Sequence, residues 1–206
     1  MSLKGKILNT WEVDTDAVTQ SQEVKDIAMA LGLEPGCRTL ENLRYGKICI
    51  LADADTDGAH IATLICALFL KHFRPLVEAG HVFIAQPPLF RIDQGKEVFY
   101  ALDEDEKEKI VKQLNSKNKQ KKIEIQRFKG LGEMNPSQLR ETTMELDGRR
   151  LLKLTLEKGN TSTSLMDMLL SKKRAGDRKN WLETKGDLAS FCLLYTSDAA
   201  DESVSV

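Results

Sequence analysis

Three aspartates, Asp53, Asp55 and Asp57, are the residues of this chain whose type and spacing are best suited to chemistry. They follow residues 48–52, an uncharged run whose composition is typical of a strand buried on both faces of a sheet. Three carboxylates crowded at one strand end repel one another unless hydrogen-bond donors or a hard cation lie among them. Carboxylate oxygens are the ligands that Mg²⁺ prefers, so this segment predicts a magnesium site.

Two other interpretations of this segment are open. A stretch rich in aspartate and glycine between two elements is often a plain turn. The order Asp-x-Asp-x-Asp-Gly also opens a calcium loop of the EF-hand type. That loop needs a bidentate glutamate at its twelfth position, which is Leu64 here, and an upstream helix where these residues favour a strand.

A helix after the aspartates would position them. Apolar residues at helical spacing predict a core helix over residues 59–70, with its N-terminus towards the carboxylates. Free backbone N–H groups at that end could bind a phosphate. His60 stands there too, either as a ligand contact or as a capping or core histidine, whereas we expect His72 to be structural. Pro75 should kink this helix or begin a new one.

A second strand beyond this helix completes the arrangement. Residues 81–85 read as a short buried strand, and the order strand, helix, strand predicts a right-handed crossover. We therefore expect an α/β fold, with an open parallel sheet flanked by helices. Ligands of such sheets lie beyond the carboxyl ends of the strands, where the three aspartates fall.

The rest of the chain shows further helical and strand-like patterns. Lys129 opens a loop with two glycines, through which the backbone could approach another group closely, but this signal is weak by itself. Ser21 should cap the first predicted helix, and Gly32 should lie near its end. The patterns predict helices over residues 22–33, 103–114, 137–144 and 164–185, a hairpin of residues 90–92 and 98–101, and a strand at residues 123–128.

Composition limits the class of protein. With 206 residues and 41% hydrophobic content the chain can bury a core, enough for one domain and a smaller appendage. The net charge of -1 conceals basic clusters at residues 107–129 and 172–179, which either contact phosphates or form solvated faces. Scattered cysteines favour reduced thiols, and the apolar runs are too short to span a membrane, so we expect a cytoplasmic protein.

Three segments carry a family resemblance. Residues 53–60, 86–89 and 126–136, the last reading Gln-Arg-Phe-Lys-Gly-Leu-Gly-Glu-Met-Asn-Pro, together resemble the B subunit of bacterial type IIA topoisomerases. The similarity extends over residues 3–189. Within the family, residues 92–102 are more similar to the topoisomerase IV branch than to the gyrase branch.

The resemblance implies a fold and a metal. It implies a Toprim domain, a Rossmann-like parallel sheet, over residues 1–102, followed by a small α+β carboxyl-terminal region over residues 103–189. It also implies that Asp53, Asp55 and Asp57 hold Mg²⁺ beside the DNA phosphate that is cleaved. This agrees with the magnesium site that the crowded carboxylates predict.

The resemblance also implies the other parts of a DNA cleavage site. Candidate DNA contacts are Lys4, Lys6, His60 and Lys129. In the family, the tyrosine that attacks DNA is on the partner A subunit of an A2B2 heterotetramer, and we assign no tyrosine of this chain to that role. The implied function is ATP-dependent cleavage and religation of double-stranded DNA, for chromosome decatenation and relaxation.

Two alternatives to this function are open. The chain could derive from the B subunit of a gyrase, or it could serve as a non-catalytic, Mg²⁺-dependent module for DNA binding or assembly. In the family, the ATPase region and a metal-binding glutamate lie upstream of the matching segment, so we expect the chain by itself to be inactive. Residues 190–206 have no helical or strand period and read as a foreign or disordered tail.

Overall fold

A computed structural model describes residues 1–117, 121–156 and 161–186 of the chain, so the predicted tail at residues 190–206 lies outside the described residues. The described residues fall into two compact units, divided between Ser162 and Thr163. Its main elements are α1 (Thr15–Gln20), α2 (Gln22–Leu31), β1 (Ile48–Ile50), α3 (Thr56–His72), α4 (Arg74–Glu78), β2 (Val82–Ala85), β3 (Phe90–Gln94), β4 (Glu97–Ala101), α5 (Glu104–Lys117), β5 (Ile123–Arg127), α6 (Pro136–Leu139), β6 (Leu151–Lys153), α7 (Thr161–Leu170) and α8 (Ala175–Lys185).

The predicted parallel strands and their helical connection are confirmed. β1 and β2 run parallel, with Ile48 opposite Val82, and α3 and α4 lie between them in the chain. Cys49 of β1 is exposed, so the prediction that this strand is buried on both faces is wrong. An antiparallel third strand, β6, lies on the other side of β2, with Leu151 opposite Ala85. We did not predict β6, because its three residues are too few to show an alternation in the sequence.

α3 provides much of the core of the first unit. Leu68 is completely buried, and the rings of Phe69 and Phe73 pack at 5.8 Å between their centroids. His72 is buried as expected for a structural histidine, and this burial lowers its pKa. Pro75 lies in the first turn of the separate helix α4, which is one of the two outcomes predicted for it.

α2 confirms the ends predicted for it. The Ser21 hydroxyl accepts a hydrogen bond from the Val24 N–H at 3.5 Å, and Gly32 ends the helix in the left-handed region with φ 76°. The N–H of Gly32 donates to the Ala28 carbonyl. The buried side chains of α2 recur at helical spacing: Val24, Ile27, Ala28 and Leu31.

A second sheet follows the parallel one in the chain. β3 and β4 form the predicted hairpin, and β5 pairs antiparallel with the other edge of β3. Phe90, Ile92 and Gln94 alternate as the buried residues of β3, and α5 packs against β3 and β4. The sheet leads the chain from β5 into the glycine loop at residues 129–133.

The helix predicted over residues 137–144 is α-helical only as far as Leu139. The next residues, Arg140–Met144, form a π-helical turn. Two threonine hydroxyls in this turn donate to carbonyls four residues earlier, Thr142 to Gln138 at 2.7 Å and Thr143 to Leu139. Such side-chain bonds compete with the regular helical pattern.

In the second unit, the prediction of a single helix over residues 164–185 is wrong. α7 ends at Leu170, Ser171 is extended with ψ 128°, and Lys172–Arg174 forms a 3-10 turn before α8 begins. The Arg178 guanidinium donates to the carbonyls of Met168 at 2.9 Å and Ser171 at 2.6 Å. These bonds satisfy carbonyls at the end of α7, so the break does not leave them without a partner.

The described part of the chain contains three of the four cysteines. Cys37, Cys49 and Cys66 are free cysteines there, in agreement with the predicted thiols, whereas Cys192 lies outside it. No described helix is long and apolar enough to cross a membrane.

Candidate metal and nucleic-acid site

The turn between β1 and α3 carries the three aspartates. α3 begins at Thr56, three residues before the predicted start, so Asp57 lies in its first turn and Asp55 is its N-cap. The Asp55 Oδ1 accepts a hydrogen bond from the Gly58 N–H at 2.6 Å. This bond satisfies one of the backbone donors that a helix leaves free at its N-terminus.

Gly58 allows the chain to turn tightly in front of α3. A Cβ built on Gly58 would lie 2.8 Å from the carbonyl carbon of Asp53, 2.9 Å from its nitrogen and closer still to its carbonyl oxygen. These neighbours are backbone atoms, which cannot move aside as a flexible side chain can. Only glycine therefore lets the backbone of Asp53 lie against the first turn of the helix.

The glycine loop meets the Asp53 side chain. The Leu131 N–H donates to Asp53 Oδ1 at 2.8 Å, across 78 residues of sequence. A Cβ built on Gly130 would lie 3.0 Å from the Cγ of Asp53, and 3.1 and 3.2 Å from its two carboxylate oxygens. A side chain at residue 130 would therefore crowd the carboxylate, which would have to shift by a few tenths of an ångström.

Contacts inside the loop and at its base hold it in place. The Lys129 N–H donates to Glu133 Oε2 at 2.8 Å, which closes the loop on itself. Phe128 is 1% exposed, and its N–H donates to the Leu89 carbonyl at 2.8 Å. A buried aromatic side chain thus anchors the start of the loop.

Asp57 pairs with the N-terminal segment of the chain. Its Oδ1 lies 2.8 Å from the Lys6 ammonium, and both side chains are exposed. The hydrogen bond from Lys6 and the positive charge of Lys6 lower the pKa of Asp57, and the charge of His60 lowers it further. Lys6 and His60, two of the predicted DNA contacts, therefore lie near this carboxylate.

The other two predicted DNA contacts are also at the surface. Lys4 is exposed two residues before Lys6, and Lys129 is exposed at the start of the glycine loop that contacts Asp53. Exposed ammonium groups beside acidic residues can bind phosphates while the carboxylates bind cations.

The carboxylate oxygens of the three aspartates suit a hard cation such as Mg²⁺, but the described residues do not form a complete metal site. The hydrogen bonds and ion pair of Asp53, Asp55 and Asp57 among the described residues all use Oδ1, so each Oδ2 can serve a cation. The described residues contain no group of three or more His, Cys, Asp or Glu side chains arranged to hold a metal ion. The magnesium assignment therefore stays a prediction.

Sequence reasoning missed the contacts that hold the aspartates. The two glycines after Lys129 signalled a close backbone approach, but nothing in the sequence indicated that the approached group is Asp53. The partner of Asp57, Lys6, was predicted only as a DNA contact.

The chain matches two family models. Residues 1–87 match the Toprim domain, and residues 120–183 match the carboxyl terminus of the DNA gyrase B subunit. The two matches together cover more than two thirds of the chain. The chain belongs to the family of type IIA topoisomerase B subunits.

Within this family the similarity is greater to one branch. The chain is 65% identical over 189 residues to the B subunit of DNA topoisomerase 4 from Pseudomonas aeruginosa, covering 92% of this chain and 30% of the relative. It is 63% identical over 193 residues to the Escherichia coli protein of the same name, covering 93% and 30%, respectively. Identity to the B subunit of DNA gyrase from Halalkalibacterium halodurans is 45% over 179 residues, covering 86% and 27%. The chain is a homologue of the topoisomerase IV B subunit.

The fold agrees with this relationship. A solved structure titled as the DNA-binding, cleavage and re-ligation domain of Plasmodium falciparum topoisomerase II superimposes with a TM-score of 0.70 at 25% identity. The superposition covers 87% of this chain and 24% of that one. The predicted α/β Toprim fold is therefore confirmed. The chain spans about 30% of the length of the topoisomerase IV relatives it matches.

Proposed function

We propose that this chain supplies the magnesium-binding carboxylates of a topoisomerase IV that cleaves and rejoins double-stranded DNA. The observation that carries the proposal is the turn between β1 and α3, where Asp53, Asp55 and Asp57 lie at the carboxyl end of a parallel strand. Ligands of open parallel sheets bind at this position. In the parent enzyme the reaction would relax and decatenate chromosomes.

The proposed roles follow from the charges of the turn and its neighbours. Mg²⁺ held at the aspartates would neutralise negative charge on the phosphate oxygens at the cleavage point. Lys4, Lys6, His60 and Lys129 would contact the phosphate backbone, which positions DNA without reading its sequence. All four are exposed, so DNA could reach them.

The attacking tyrosine would come from a partner A subunit in an A2B2 assembly. The properties of Tyr100 support this proposal, because its hydroxyl donates to Glu141 Oε2 at 3.1 Å. Burial, together with that hydrogen bond and the charge of Glu141, raises the pKa of Tyr100 to about 12, which makes it a poor nucleophile at neutral pH. Tyr195 lies outside the described residues.

ATP hydrolysis and the rest of the cleavage site belong to the larger enzyme in this proposal. The chain spans about 30% of its topoisomerase IV relatives, so it would contribute one part of the activity. A chromosomal substrate would place the enzyme in the cytoplasm.

The test is to replace Asp53 with alanine in the complete B subunit and to assay it with the A subunit, supercoiled plasmid, ATP and Mg²⁺. We expect the linear cleavage product trapped by detergent to fall by at least tenfold, because losing even an outer-shell partner of a metal ligand costs about 10- to 100-fold in metal affinity or activity, and Asp53 is itself a proposed ligand. Asp16→Ala is the matched control, since Asp16 is an exposed aspartate on α1.

Cleavage by Asp53→Ala at the rate of the unmodified enzyme would refute the metal assignment. If DNA binding requires Mg²⁺ but both variants cleave normally, the chain acts instead as a non-catalytic binding module. Equal losses in Asp53→Ala and Asp16→Ala would show a general effect of lost negative charge.

A further inference from the structure

We propose that the Gly130–Leu131 segment of the glycine loop is a positioning element that fixes the Asp53 carboxylate for its cation. This inference rests on the magnesium site proposed above and adds a residue pair outside the acidic turn. Its basis is the meeting of two segments, Asp53 before α3 and Leu131 after β5, through one hydrogen bond.

The two carboxylate oxygens of Asp53 have different roles in this proposal. The Leu131 N–H donates to Oδ1 at 2.8 Å, so in this proposal Oδ2 is the oxygen offered to a cation. A carboxylate that binds metal is commonly oriented by a second hydrogen bond of this kind. Leu131 therefore fixes the rotation of the carboxylate before any cation arrives.

Gly130 makes this contact possible. A methyl group there would lie 3.0 to 3.2 Å from the carboxylate atoms of Asp53, so the side chain would have to shift by a few tenths of an ångström. The backbone of Gly130 is extended, with φ -163° and ψ 175°, so alanine can adopt it without strain. Gly130→Ala should therefore displace the carboxylate while leaving the loop folded.

Gly132, in the same loop, provides the matched control. A Cβ built on Gly132 would meet no described atom within 4 Å. Gly132→Ala therefore makes the same chemical change two residues away, without touching Asp53. Any difference between the two variants reports the approach of Gly130 to the carboxylate.

Two contacts hold the loop in the position from which Leu131 reaches Asp53. Its closing bond from Lys129 to Glu133 and the buried Phe128 at its base fix the direction of the Leu131 N–H. The exposed Lys129 side chain, a proposed phosphate contact, begins the same loop. Movement of Lys129 towards DNA would therefore also move the backbone that contacts Asp53.

The first experiment measures amide hydrogen exchange at Leu131 in the full 206-residue chain without metal. We expect exchange at Leu131 to be about tenfold faster in Asp53→Ala, since a hydrogen bond to a charged acceptor is lost. Asp53→Asn keeps an acceptor oxygen and should keep the protection. Asp57→Ala should leave Leu131 unchanged, because Asp57 bonds to Lys6 instead. Equal exchange in all four proteins would overturn the proposed contact.

The second experiment measures Mn²⁺ binding to the complete B subunit without nucleotide by electron paramagnetic resonance, because the acidic turn by itself is not a complete metal site. Mn²⁺ is the probe for Mg²⁺. We expect Gly130→Ala to weaken binding by about tenfold and Gly132→Ala to change it by less than about twofold. Asp53→Asn should weaken binding even though it protects Leu131, which a purely structural role of Asp53 would not produce.

The outcomes separate this inference from the proposed function. If the unmodified subunit binds Mn²⁺ and the two glycine variants bind it equally, the positioning role is overturned and the metal site stands. If the unmodified subunit binds no Mn²⁺, the metal site is overturned, and the positioning role with it.

Discussion

Replacing Gly58 with alanine should destabilise this protein, although the same change in most helices does the opposite. In a helix interior, alanine is about 0.8–1.0 kcal/mol more favourable than glycine. Gly58 lies in the first turn of α3 and is buried, so helix propensity alone predicts a gain in stability. We expect the opposite, because the backbone of Asp53 lies where the added methyl group would be placed.

The magnitude follows from what the added methyl group would meet. Its nearest neighbours are the carbonyl oxygen of Asp53, the carbonyl carbon at 2.8 Å and the nitrogen at 2.9 Å, and all three are backbone atoms. Relieving such overpacking moves backbone and typically costs about 1–3 kcal/mol. Subtracting about 1 kcal/mol for helix propensity leaves a net loss of about 1 kcal/mol.

The assay is thermal unfolding of the chain followed by circular dichroism. A loss of about 1 kcal/mol should lower the Tm by about 2–4 °C for a chain of this size. Gly46→Ala serves as the control in the same unit, because a Cβ there would meet no described atom within 4 Å. Gly46→Ala should be neutral or stabilising by up to about 1 kcal/mol, through reduced freedom of the unfolded chain.

The reasoning would be refuted if Gly58→Ala raised the Tm or matched Gly46→Ala. Such a result would mean that the turn before α3 can relax away from the helix at little cost. The tight approach of Asp53 to α3 would then not depend on glycine.

Two further predictions concern pH and activity. Because the folded pKa of Tyr100 is raised to about 12, the unfolded chain loses this proton first, so stability should fall as the pH rises from about 10 to 12. Urea unfolding across this range should show a smaller decline in the free energy of unfolding for Tyr100→Phe than for the unmodified chain. An equal decline would show that Tyr100 does not cause the loss of stability. The 206-residue chain mixed with the A subunit should not relax supercoiled plasmid with ATP and Mg²⁺, and rapid relaxation on a gel would contradict this.

Much of the fold was predictable because its signals are local. The spacing of Val24, Ile27 and Leu31 indicated α2, because burial of one helix face imposes a period on the sequence. The uncharged run before the aspartates indicated β1 by its composition, which located the strand but not which of its faces is buried. The two predicted parallel strands and their connecting helix are confirmed for the same reason.

Other features could not be predicted because they depend on neighbours distant in sequence or on side chains that compete with the backbone. β6 is a strand only through pairing with β2, with Leu151 opposite Ala85. At the break near Ser171, the Arg178 guanidinium donates hydrogen bonds to the carbonyls of Met168 and Ser171. In a continuous helix these carbonyls would have paired with backbone N–H groups. The π-helical turn coincides with threonine side chains bonding to earlier carbonyls.

The candidate site likewise combines features that are local in sequence with contacts that are not. The sequence by itself determined that three carboxylates follow a strand, since both the apolar run and the aspartate spacing are read directly along the chain. Only the tertiary structure decided the partners of two of them, Leu131 for Asp53 and Lys6 for Asp57. Asp55 instead makes a local N-cap bond with Gly58. Two of these contacts join residues 78 and 51 positions apart, so they depend on the path of the folded backbone rather than on local preference.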